Sequence, residues 1–107
     1  MHIFYVKGSD VEFEWDETKR LANIEKHHID FVDAISIFHQ DVLTAPDERK
    51  AYAEQRHIAV GLMHGIEIVL VYTERGERIR VISARRANRH ERENYKTNVA
   101  AKKTSEQ

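Results

Sequence analysis

The apolar positions of this chain change their period along its length, and the changes mark its elements. Val11, Phe13 and Trp15 alternate with Glu12 and Glu14. Period two is the pattern of a strand with one apolar face, and the two glutamates predict a sheet-edge position with both carboxylates outward. A shorter run, His2 to Val6, precedes it and closes at Gly8-Ser9-Asp10. Asp16 then stands where an N-cap belongs, and residues 17–27 carry a thin helical stripe of Leu21, Ile24 and His28. Asn23 and His27, four apart, share one face of that helix. Asp30 predicts a second N-cap, and Phe31, Ala34, Ile35 and Phe38 form a clear core-facing stripe. Only a few residues separate the two patterns, so they predict a tight helical hairpin.

Beyond Gln40 the period returns to two. A short strand is expected at 42–44, followed by an exposed loop to Gln55 with a turn at Ala45-Pro46-Asp47. Residues 56–63 place Ile58, Val60 and Leu62 on one face, and Met63-His64-Gly65 turns into the most apolar run, 66–73. That run is expected at the centre of the sheet. The chain turns again at Arg75-Gly76 and returns over 78–85, which makes a three-stranded meander. Phe13, Trp15, Phe31 and Phe38 are expected to pack the helices on this sheet. Residues 86–100 suit a helix anchored by Ala87, Tyr95 and Val99, with 101–107 a frayed tail. The expected whole is one α+β domain over 1–107: a helical hairpin near the N-terminus, packed on an antiparallel sheet, with a C-terminal helix.

Arginines crowd the last strand. Strict alternation puts Arg78 and Arg80 on one face with Ile82, and Ile79, Val81 and Ser83 on the other. Guanidinium groups fixed on a sheet suit an anion, above all phosphate. The competing reading is a solvated face whose arginines pair with Glu74 and Glu77. Arg85 and Arg86 are adjacent, so on a regular strand only one of them belongs to a single-face site; a helix starting near Arg86 relaxes that limit.

Charge sharpens the picture. The net charge is −1, yet residues 1–74 hold 7 Lys+Arg against 14 Asp+Glu, and residues 75–107 hold 10 against 4. A basic end points to nucleic acid or to an acidic protein partner, unless the two halves neutralise each other within the fold. There is no cysteine, which removes disulfides, thiolate nucleophiles and thiolate metal sites. The seven histidines match no metal-ligand spacing, and no glycine-rich phosphate loop is present. No apolar run reaches membrane-spanning length, and the N-terminus lacks a signal pattern, so the expectation is a cytoplasmic protein without metal or cofactor.

Taken together, FEWDETKRLANIEKH (13–27) with Phe31, IAVG (58–61) and VYTERGERIRVISARRANRHERENY (71–95) resemble the BrnT-type toxins of bacterial type II toxin–antitoxin systems, which are similar in fold to RelE ribonucleases. The blocks occur in the family's order. One departure is His28, where the family commonly has a glycine to end the first helix; that position prefers left-handed geometry. The resemblance implies a ribonuclease that inhibits translation and is neutralised by a cognate antitoxin, which carries the DNA binding. Metal-free RNA cleavage uses the ribose 2′-oxygen as nucleophile, with a base, an acid and cations for the phosphorane. The candidate catalytic residues are Lys26, His27, Glu74, Arg80, Arg85, Arg86 and Tyr95, with Arg75, Arg78 and Arg89 as RNA contacts. Each has a plainer reading: His27 as a helix-end histidine, Tyr95 as a helix anchor, Glu74 as an ion-pair partner. The alternative function is a non-catalytic module that binds nucleic acid or protein through its basic C-terminal third.

Overall fold

A computed structural model of the chain describes residues 2–5, 11–49, 51 and 53–105, with the side chains of 2–5 and 102–105 left aside. Its elements run β1 (His2–Tyr5), β2 (Glu12–Trp15), α1 (Glu17–His27), α2 (Phe31–Ala34), a 3-10 helix (Ile35–His39), β3 (Leu43–Pro46), β4 (His57–Met63), β5 (Ile66–Arg75), β6 (Arg78–Arg86) and α3 (Arg89–Ser105). The six strands form one sheet in the order β1-β2-β6-β5-β4-β3. The fold is α+β, and β4, β5 and β6 make the expected meander with β5 inside. The turn expected at Gly8-Ser9-Asp10 lies outside the described residues.

Three expectations need correction. The sheet is mixed, because β2 runs parallel to β6. β2 is also no edge strand: β1 pairs with its other side, and Glu14 is buried opposite Arg80 instead of facing water. Alternation reports which residues share a face, but it cannot report what a neighbouring strand lays over that face. The second arm of the helical hairpin, finally, is no regular α-helix but a single α turn that tightens into the 3-10 helix. The tightening changes the buried stripe. Phe31, Ala34, Ile35 and Ile37 are buried, whereas Phe38 is only half-buried, as three residues per turn bring Ala34 and Ile37 into line.

The helices lie on the sheet face formed by Phe13, Trp15, Ile68, Leu70, Tyr72, Val81 and Ala84. Trp15 meets Phe31 edge-on at 5.9 Å, and Phe38 bridges Phe13 (5.4 Å) and Tyr72 (5.7 Å). The caps form as their side chains predict. Asp16 accepts from the Thr18 and Lys19 amides, and Asp30 accepts from the Val32 amide. Arg20 donates to both Glu17 and Asp30, which ties α1 to the start of α2. On the opposite face α3 packs beside Leu62 and Glu67, and continues to Ser105, beyond the expected end at Ala100.

Candidate functional site

Two local devices place the arginines of β6. The first is a bulge. Val71 pairs with Ser83 but Tyr72 pairs with Val81, so Ile82 is an extra residue with no opposite number on β5. The bulge shifts the alternation by one. Arg85 opposes Val69, Ser83 opposes Val71, Arg80 opposes Thr73 and Arg78 opposes Arg75, so Arg78, Arg80 and Arg85 share one face. Arg86 opposes Ile68 on the helix-bearing face. The sequence allowed only one of Arg85 and Arg86 on the face of Arg80, and the bulge makes it Arg85.

The second device is Asn23. Parallel pairing with β2 covers only Arg78–Arg80, so the edge of β6 beyond it lacks a strand. The Asn23 amide takes that place. Its Nδ2 donates to the Ala84 carbonyl (2.9 Å) and the Ile29 carbonyl (2.9 Å), and its Oδ1 accepts from the Ala84 amide (3.1 Å). A buried carboxamide with both ends satisfied locks α1 against β6. One helical turn later Lys26 and His27 reach the end of β6, where they line a surface depression with Ile82 and Ser83. Helix α1 ends there, because His28 is left-handed (φ 59°, ψ 30°) and donates its amide to the Ile24 carbonyl at 2.8 Å.

His27 is half-buried, and burial pushes its pKa below the ordinary histidine value. The charges of Lys26, Arg85 and His28 push it the same way. Burial and these neighbours therefore disfavour the charged form of the imidazole. Arg85 is in turn held by Glu91 in a bidentate pair, Nη1–Oε1 2.8 Å and Nη2–Oε2 2.9 Å. That pairing raises the Arg85 pKa and holds the Glu91 carboxyl below the usual carboxylate range. Glu91 also accepts from the Asn88 amide, and Asn88 Oδ1 accepts from the Glu91 amide, so the N-terminus of α3 is a capping box. Glu91 and Asn88 were missed in the sequence reading. The Asn88-x-x-Glu91 spacing was the signal that could have found them.

The remaining candidates are spread out. Arg86 is exposed and lines a cavity together with His27. Glu74 is exposed near the far end of β5, five positions beyond Val69, or roughly 17 Å along the strand from Arg85's register partner. Arg75 and Arg78 lie at that same end and pair with Glu54 (2.9 Å) and Glu12 (2.8 Å). Arg89 pairs with Glu93 one turn along α3. Tyr95 is buried, with its hydroxyl donated to the Asp41 carbonyl at 2.8 Å. The structure thus gathers Lys26, His27, Arg85 and Arg86 at one end of β6 and leaves Glu74, Arg75 and Arg78 at the other. Among the described residues no three His, Asp or Glu side chains converge as a metal site. Among the described residues no helix is long and apolar enough to cross a membrane.

No curated protein matches the chain significantly. The family described as the ribonuclease toxin BrnT of type II toxin–antitoxin systems matches residues 15–91, well over half of the chain and all of the segment that carries Lys26, His27, Arg85 and Arg86. On that match the chain belongs to the BrnT family of type II toxin–antitoxin ribonuclease toxins.

Proposed function

We propose that the chain is a metal-independent endoribonuclease whose reaction is centred on His27, and that it stops translation by cutting RNA in the cytoplasm. The observation that carries this reading is a half-buried imidazole in one depression with Lys26 and near Arg85, its pKa lowered by burial and by those charges. Neutral His27 takes the proton of the ribose 2′-hydroxyl, whose oxygen attacks the adjacent phosphorus and expels the 5′-oxygen of the next nucleotide. Arg85, oriented by Glu91, faces the charge that builds on the phosphorane. Lys26 lies beside the same depression and supplies charge or a proton to the leaving oxygen. Arg80 shares the face of Arg85 four register positions away and holds a neighbouring phosphate. Arg75, Arg78 and Arg89 are outer contacts along the strand of RNA. The kinship with RelE-type ribonucleases belongs to this reading. Glu74 lies apart from the cluster and the Tyr95 hydroxyl is engaged by a backbone carbonyl, so neither has a step here.

The products distinguish this chemistry from metal-assisted hydrolysis. Cleavage in the presence of EDTA, leaving 2′,3′-cyclic phosphate and 5′-hydroxyl ends, is the expected result. Arg85→Ala is expected to lose about 10²–10³ in rate, as for loss of one group aimed at transition-state charge. Full activity in a folded His27→Ala or Arg85→Ala protein, or cleavage abolished by EDTA alone, would count against the assignment. Neutralisation is proposed to come from an antitoxin that lays acidic and apolar segments over the Arg78–Arg86 face and α3, and that also supplies the DNA contact. Co-purification with the product of the adjoining gene, and loss of growth inhibition when the two are made together, tests that part.

A further inference from the structure

Beside His27 the surface opens into a cavity of about 220 Å³. Ile29, Met63 and Ile68 give it apolar walls, and Ile66, the first residue of β5, stands at it 37 % exposed. Cationic or ionisable groups edge it: His27, His28 and Arg86. The left-handed residue at the end of α1 makes this combination, since Ile29 drops into the core while His28 stays exposed at the mouth. Apolar walls with polar groups only at the edge suit a planar guest that is apolar on its faces and polar at its rim. An unstacked nucleobase is such a guest, and ribonucleoproteins commonly receive one between apolar, histidine or arginine side chains.

We infer that this cavity is a nucleobase pocket that takes one base of the RNA beside the bond cut at His27, with Arg86 reading the edge of that base. The inference rests on the ribonuclease reading above for the identity of the ligand. The bulge at Ile82 supports it: it puts Arg85 on the face of Arg80 and leaves Arg86 on the face of Ile68, which lines the cavity, so one meets the phosphate and its neighbour meets the base. His27 belongs both to the cavity and to the depression with Lys26, which puts the base next to the reacting 2′-oxygen. Arginine carries donors only. Guanine offers two adjacent acceptors, O6 and N7, whereas adenine sets an acceptor beside a donor, so guanine is the favoured guest.

The test is binding of short RNAs in which a single 2′-deoxy residue blocks the cut and an abasic residue is moved along the strand one position at a time. At one position, loss of the base is expected to weaken binding to the wild-type protein about tenfold or more, and guanine is expected to outbind adenine there. Arg86→Ala is expected to erase the preference for guanine. Ile66→Trp, at a partly exposed position, fills the cavity and is expected to make the intact and abasic RNAs bind alike. Equal affinity for every abasic position, or an unchanged base dependence in folded Ile66→Trp, overturns the pocket. So does an Ile66→Trp protein that loses only its antitoxin, which would make the cavity a protein anchor. If the wild type cuts no RNA, the ribonuclease reading falls while the binding series still decides the pocket.

Discussion

His27 sits where partial burial first, and then Lys26, Arg85 and His28, all disfavour its protonation. Its folded pKa therefore lies below its unfolded one. Protons bind the unfolded chain more readily in that interval, so the His27 contribution to stability is full above the ordinary histidine value and declines as pH falls through the depressed one. In the proposed mechanism the same titration controls the base. Activity is expected to fall on the acid side with a midpoint below the ordinary histidine value. Arg85→Ala removes one repelling charge and is expected to move the His27 midpoint upward, which an NMR titration of the ring carbon proton reads without any turnover. A midpoint that stays put in Arg85→Ala would show that Arg85 has no part in the shift, leaving burial, the larger cause, with Lys26 and His28. Arg85→Lys is a poor substitute at this place, because a lysine cannot reproduce the two-pronged contact with Glu91.

At the scale of elements, the close approach of the 3-10 helix to β4 is the tightest constraint. A Cβ on Gly61 would come within 2.8 Å of Ile37 Cβ and 3.1 Å of Val42 Cγ1. Gly61→Ala is thus expected to destabilise the fold by about 1–3 kcal/mol, the usual penalty of overpacking, measured by denaturant unfolding. Phe31→Ala, at a fully buried ring, is expected to cost about 3–5 kcal/mol. Phe38→Ala is expected to cost clearly less, since that ring is half-buried although it touches two others. Equal losses for the two would mean that the 3-10 turn does not hold in solution. Local patterns foretold what local physics decides: the Asp16 and Asp30 caps, the left-handed residue after Lys26-His27, and the meander with its turns at His64-Gly65 and Gly76. Non-local features escaped. Nothing near Glu12–Trp15 in sequence says that β6 will lie beside it, and no residue type announces the extra position at Ile82. The cluster of site residues was legible as a set of types, but which arginine faces which group depended on that one unpaired residue.

Over the whole molecule, the acidic first part and basic last part partly neutralise each other. Arg78 pairs with Glu12, Arg75 with Glu54 and Lys96 with Glu67, each joining the two parts. Such exposed pairs are weak, about 0–1 kcal/mol each, so phosphates can compete for the same arginines. RNA affinity is therefore expected to fall linearly on a log–log plot against salt, with a shallower slope in Arg78→Ala. A slope that Arg78→Ala leaves unchanged would place that side chain outside the RNA contact. The wide separation of the partners has one more consequence. Lys26 and His27 come from the first third of the chain and Arg85 and Glu91 from the last, joined across Asn23 and Ala84, 61 positions apart. During synthesis the N-terminal portion emerges without the strand that completes the sheet, and long-range pairing of this kind is slow to form. Until β6 and the start of α3 have emerged, the cluster is therefore incomplete: Lys26 and His27 stand without Arg85 and Glu91, and order of synthesis becomes order of assembly.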